Sequence, residues 1–153
     1  MGLCIWRFPY GRRRARFPYL LPRILDLSIN DPGSVNDTEI VLGKLRLALW
    51  RSWSATEQEV IEALLDAWFE LALARDLAAL DDDWSDLETE RVLCGAVRAG
   101  FPIAPWLLRL HEPVADPALA DLRDRYPNQL SPFWDLTPDG FAELSTIFAQ
   151  GAA

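Results

Sequence analysis

The sequence predicts an all-α fold, an irregular bundle of about six to seven helices with stacked, α-solenoid-like hairpins as its more ordered variant. Three observations point there. Trp53-Ser54-Ala55-Thr56-Glu57 and Trp84-Ser85-Asp86-Leu87-Glu88 are both W-S-x-x-E, 31 residues apart. In each, the serine can accept from a backbone N–H three residues on while the glutamate reaches back, the pattern of a capping box. Apolar residues then recur at helical spacing, and β-rich runs are missing between these segments.

The elements follow in order. Residues 1–16 form no periodic pattern and read as a basic, disordered tail or a misassigned start, leaving 17–153 as one helical domain. Leu20, Leu21, Ile24, Leu25 and Leu27 make a short apolar helix with Pro22 in its first turn. Asn30-Asp31-Pro32-Gly33 is turn chemistry. Asn36 or Asp37 then caps a helix running to Trp50, with Gly43 marking a close helix crossing. The helix after Ser54 extends to about Leu80, its apolar stripe formed by Val60, Ile61, Leu64, Leu65, Trp68, Leu71 and Ala72.

Asp81-Asp82-Asp83 reads as a linker, and a helix from Ser85 ends at Gly100. A short helix covers Ile103 to Leu110. Asp116-Pro117 and Thr137-Pro138-Asp139 each combine a cap with a proline at the first helical position. The starts at Ser54, Ser85 and Asp116 are evenly spaced, which suggests repeat stacking. The third lacks both the tryptophan and the glutamate.

Charge and cysteine usage bound the function. Net charge is −8, yet residues 1–24 hold six arginines and no acid, so the remainder carries −14. Such an acidic body repels nucleic acid and suits a basic partner. The arginine arm alone has the composition for RNA, DNA or anionic lipid. Cys4 and Cys94 form neither a CxxC nor a disulfide framework, which fits a reducing cytoplasm. The apolar run from Val60 to Ala74 is interrupted by Glu62, Asp66 and Glu70 and is too short to span a membrane.

Tyr19-Leu20-Leu21-Pro22-Arg23-Ile24-Leu25-Asp26-Leu27, Leu42-Gly43-Lys44-Leu45, Trp50-Arg51-Ser52-Trp53 and Ala67-Trp68-Phe69 resemble a group of bacterial hypothetical proteins. These carry an F-L-P-R-I/L-L-E-L phrase, then L-G-K-L, then W-x-x-W. The resemblance covers about residues 17–75. It implies a bacterial, cytoplasmic, helical protein and supplies no activity, cofactor or catalytic residue.

No motif for phosphate binding or nucleophilic catalysis is present. His111-Glu112 is the sole histidine beside an acid, an enzyme candidate only if an interhelical pocket joins it to another polar group. It lacks the second histidine of a zinc site. Asp81, Asp82, Asp83, Asp86, Glu88 and Glu90 lack the glycine of a calcium loop and read as a solvated acidic linker.

Glu59, Glu62, Asp66 and Glu70 line one side of a helix, with Lys44, Arg46 and Arg51 as candidate countercharges. Trp50 and Trp53 share a face and either bind a partner or fill the junction of two helices. Together these six residues make the expected surface for a basic partner. The expectation is an immunity- or antitoxin-like interaction protein with no metal or cofactor.

Overall fold

The computed structural model describes residues 17–31, 37–80 and 87–149. The expected basic tail, the aspartate linker and Ser85 lie outside the described residues.

Within them the chain is helical: α1 (Phe17–Asn30), α2 (Thr38–Leu47), α3 (Ala55–Ala78), α4 (Glu88–Ala99), α5 (Ala104–Leu110), α6 (Asp116–Arg125) and α7 (Pro138–Ala149). Short 3-10 turns at Trp50–Ser52, Pro113–Ala115 and Pro132–Leu136 connect them. The arrangement is a bundle centred on α4, which packs most extensively on α2, then on α3, and also meets α7 and the 132–136 turn. A central helix with several neighbours differs from a solenoid, in which each unit meets only the next.

Two glycines set the spacing around α4. A Cβ on Gly95 would lie 2.8 Å from Leu42 Cδ1, and one on Gly140 of α7 would lie 2.3 Å from Val97 Cγ1. The α2–α4 crossing therefore uses Gly95. The glycine singled out in the sequence, Gly43, faces the Arg98 guanidinium instead, at 3.1 Å.

The first capping box forms as expected. Ser54 Oγ accepts from Glu57 N, and the Glu57 carboxylate accepts from Ser54 N at 2.9 Å. The second expected box depends on Ser85, which lies outside the described residues. Helix α4 starts at Glu88, and Asp76 of α3 caps it by accepting from Glu88 N at 3.0 Å and Thr89 N at 2.8 Å. At its other end Gly100 adopts φ 80, with Gly100 N donating to Val97 O and Phe101 N to Ala96 O. This is a Schellman ending, for which glycine is suited.

Three boundaries and one buried face depart from expectation. α1 begins at Phe17, so exposed Pro22 stands inside the helix and not in its first turn. α2 stops at Leu47 because the chain reverses through Leu49 at φ 54, which turns Trp50 into the core. Asp116 is the first residue of α6 and makes no side-chain cap. On α3 the buried face runs through Ile61, Leu65, Trp68, Phe69, Ala72 and Leu73, leaving Val60 and Leu71 exposed.

Candidate binding cavity

Three of the four acids expected to face a partner have partners within the chain, though Glu62 and Glu70 stay exposed. Glu62 accepts from Arg51 across the α2–α3 turn, and Glu70 accepts from Arg109 of α5 at 2.8 Å. Asp66 accepts from the Trp106 indole N–H at 2.7 Å. Of the predicted countercharges Arg51 engages, while Lys44 and Arg46 form no ion pair among the described residues. Glu59 stays exposed without an ion pair there.

The tryptophans fill the helix junction. Trp50 is 1% exposed and its indole N–H donates to Ala99 O at 2.8 Å, so it offers no face to a partner. Half-buried Trp53 donates to Ala48 O at 3.2 Å. Trp68 is likewise buried in the core.

His111 is exposed at the C-terminus of α5, where its backbone N–H donates to Leu108 O. It does not line the cavity described next.

The polar centre lies elsewhere. A cavity of about 360 Å³ opens where α2, α4 and the 132–136 turn meet, lined among others by Glu39, Glu90, Arg91, Arg125, Ser131 and Phe133. That volume falls within the range of small-ligand sites. Glu39 sits in the first turn of α2 and Glu90 in the first turn of α4, the helix end where negative charge is favoured. Both are buried, Glu39 to 2% exposure and Glu90 to 5%. Glu90, read from the sequence as part of a solvated linker, is therefore an interior group. So is Glu88, which pairs with Arg75 at 3.0 Å. The early turns of α4 point inward because Asp76 pins them against α3.

The two carboxylates converge on Ser131. Its hydroxyl donates to Glu39 Oε1 at 2.8 Å, and its backbone N–H donates to Glu90 Oε1 at 3.0 Å. The Trp134 indole N–H also donates to Glu90. Arg91 Nε stands 3.8 Å from Glu39 Oε1, and Arg98 donates to the Glu39 carbonyl at 2.8 Å. Glu39 Oε2 is buried and has no hydrogen-bond donor. An acceptor in that state is costly, because water has been removed and nothing replaces it.

Burial pushes the Glu90 carboxyl up to about 6, against the pull of its Ser131 and Trp134 donors, and the Glu39 charge pushes the same way. Burial likewise raises the Cys94 thiol, aided by the charges of Glu90 and Glu39. Cys94 is 0% exposed, a packed apolar group with no nucleophilic character. Among the described residues no three His, Cys, Asp or Glu side chains are arranged to hold a metal ion.

Glu39 and Ser131 escaped the sequence reading because they are 92 positions apart and belong to no motif.

No family model, curated protein or solved structure matches the chain.

Proposed function

We propose that this chain is a cytoplasmic bacterial protein-interaction module of the immunity or antitoxin-like kind, which holds a basic partner through carboxylates. The observation carrying this reading is the cavity that Asp37, Glu39 and Glu90 line together, which gathers carboxylates at one opening of the bundle. The net charge of −8 favours encounter with a basic molecule, and electrostatic attraction speeds such association. The docking point is thus moved from the α3 edge, where Glu62 and Glu70 are already paired, to the mouth of the cavity. Among the described residues no helix is long and apolar enough to cross a membrane.

Affinity capture with mass spectrometry tests this. Wild type would be compared with Glu39→Gln/Glu90→Gln and with Glu59→Lys/Glu62→Lys/Glu70→Lys. A basic protein retained by wild type and lost by the cavity variant is the expected outcome. Loss only in the α3 variant would return the surface to that edge. Retention by both variants would end the carboxylate reading.

An acid–base enzyme is a second reading, favoured by the Ser131 hydroxyl donating to Glu39 in the cavity that also holds Glu90. The same hydroxyl accepts from Phe133 N at 3.3 Å, a capping role that ties it to the turn.

A further inference from the structure

We infer that the outer face of α3 is a docking surface for the chain's own segment 1–16, whose apolar side chains seat on the helix while its arginines lie beside the helix's acids. This surface is distinct from the cavity, and the inference goes beyond the proposed function.

The first argument is an unpartnered face. Val60, Leu64, Ala67, Leu71, Ala74 and Ala78 recur at spacings of four and three, so they form one row along α3. Val60 is 61% exposed and Leu71 37%, the three alanines are exposed, and Leu64 is half-buried. On its other side the helix buries Ile61, Leu65, Trp68 and Ala72. A helix that is apolar on two faces is suited to contacts on both. The open row is about 27 Å long, and an exposed apolar strip of that kind marks an interaction surface.

The second argument is charge. Glu59, Asp66 and Glu70 run along one flank of the row and are exposed. Residues 55–70 hold five acids and no base. Arg51 pairs with Glu62, and Arg109 is shared by Glu70 and Glu112. Arg75, further along the helix, belongs to Glu88. Setting Arg51 and Arg109 against Glu62 and Glu70 still leaves the charges of Glu57, Glu59 and Asp66. Segment 1–16 is the complement. It carries Arg7, Arg12, Arg13, Arg14 and Arg16 with no acid, and Leu3, Ile5, Trp6, Phe8 and Tyr10 as apolar side chains. A second copy of the chain would instead bring the same acids to the same edge, like charge against like.

The third argument is reach. The segment joins α1 at Phe17, and the far end of α1 touches α3, where the Ile29 carbonyl accepts from Arg75 at 2.7 Å. Helix α1 is about 20 Å long, and sixteen extended residues span about 50 Å, so the whole row lies within reach. A tether of this length holds the segment at an effective concentration of about millimolar, so modest contacts suffice.

Cys4 puts a probe in the segment itself. Cys94 is 0% exposed, so a nitroxide reagent applied to the native full chain reacts at Cys4. Amide intensities of the ¹⁵N-labelled chain, compared before and after reduction of the nitroxide, map what the segment approaches. The amides of Val60, Ala67, Leu71 and Ala74 should be broadened most. Ala67→Lys places bulk and positive charge at an exposed position of the row, while Arg12→Ser/Arg13→Ser/Arg14→Ser changes no residue of the bundle. Each should abolish the excess broadening on this face. A mixture of nitroxide-bearing ¹⁴N chain with untagged ¹⁵N chain reads contact between molecules and should show none.

Broadening that only declines with distance from Phe17, or that persists in either variant, would overturn the docking. Broadening in the mixture as strong as within one chain would give the face to a second copy and overturn the assignment to segment 1–16. Were Ala67→Lys to unfold, the arginine variant still decides the matter.

Discussion

Gly95 is the residue on which the α2–α4 crossing depends. An added methyl would meet Leu42 Cδ1 at 2.8 Å and the Thr38 carbonyl oxygen at 3.2 Å, so both a core side chain and a backbone group resist it. Gly95→Ala should lower stability by about 1–3 kcal/mol despite alanine's better helix propensity. Gly43→Ala meets only the movable end of Arg98, at 3.1 Å, and should stay within about 1 kcal/mol of wild type. Urea denaturation of both variants checks the contrast, and equal losses would show that the two glycines play the same part. A mid-helix glycine at position 43 advertised a close approach, but the sequence carried no sign that Gly95 would be the point of contact. That depends on how the helices rotate about their axes, which neighbours decide.

Glu90 gives a second prediction at this scale. Its carboxyl titrates near 6 in the folded state against 4.5 ordinarily, so the folded chain holds this proton more tightly than the unfolded chain. The stabilising contribution is complete below pH 4.5 and is lost as pH rises through 6. The loss is of order 2 kcal/mol. Asp76, raised chiefly by its own burial, adds a slope of the same sign. In Glu90→Gln the fall across pH 4.5–6 should shrink to the part due to Asp76. Denaturation midpoints measured at steps across that window would read it, and an unchanged slope would show that Glu90 is not the titrating group.

Among the elements, α3 and α4 show two ways to begin a helix. The α3 start is local: Ser54 and Glu57 cap one another on the surface, and the W-S-x-x-E spelling makes this legible. The α4 start carries the same spelling, but the cap comes from Asp76, in the last turns of the preceding helix and 5% exposed. A tertiary cap leaves no local signature, so the buried first turn of α4, and with it Glu90, was hidden from the sequence. The helical segments themselves were legible because their apolar spacing is a property of each segment alone. Ser54→Ala should cost about 1 kcal/mol. Asp76→Ala strands two buried N–H groups and should cost about 2 kcal/mol or more. Thermal unfolding of the pair tests the ranking, and a larger loss at Ser54 would reverse it.

At the scale of the whole molecule, α4 is the shared wall of the bundle, with α2, α3, α7 and the 132–136 turn all packed on it. Its midpoint holds Cys94, 0% exposed and with a thiol that burial keeps protonated. Opening any one neighbour should leave the sulfur covered by the others. Labelling of Cys94 by a thiol reagent, in a chain whose other cysteine is removed by Cys4→Ser, should therefore require global unfolding. The labelling rate should rise with urea as steeply as the equilibrium unfolding constant does. A shallow dependence would mean that α2 or α7 detaches alone. The distinction bears on the cavity, because Glu90 lies on the same helix one turn before Cys94 and Ser131 precedes the turn that closes over it. If Cys94 opens only with the whole bundle, the cavity-lining carboxylates Glu39 and Glu90 are held in place beforehand, and a ligand entering there would meet little ordering cost.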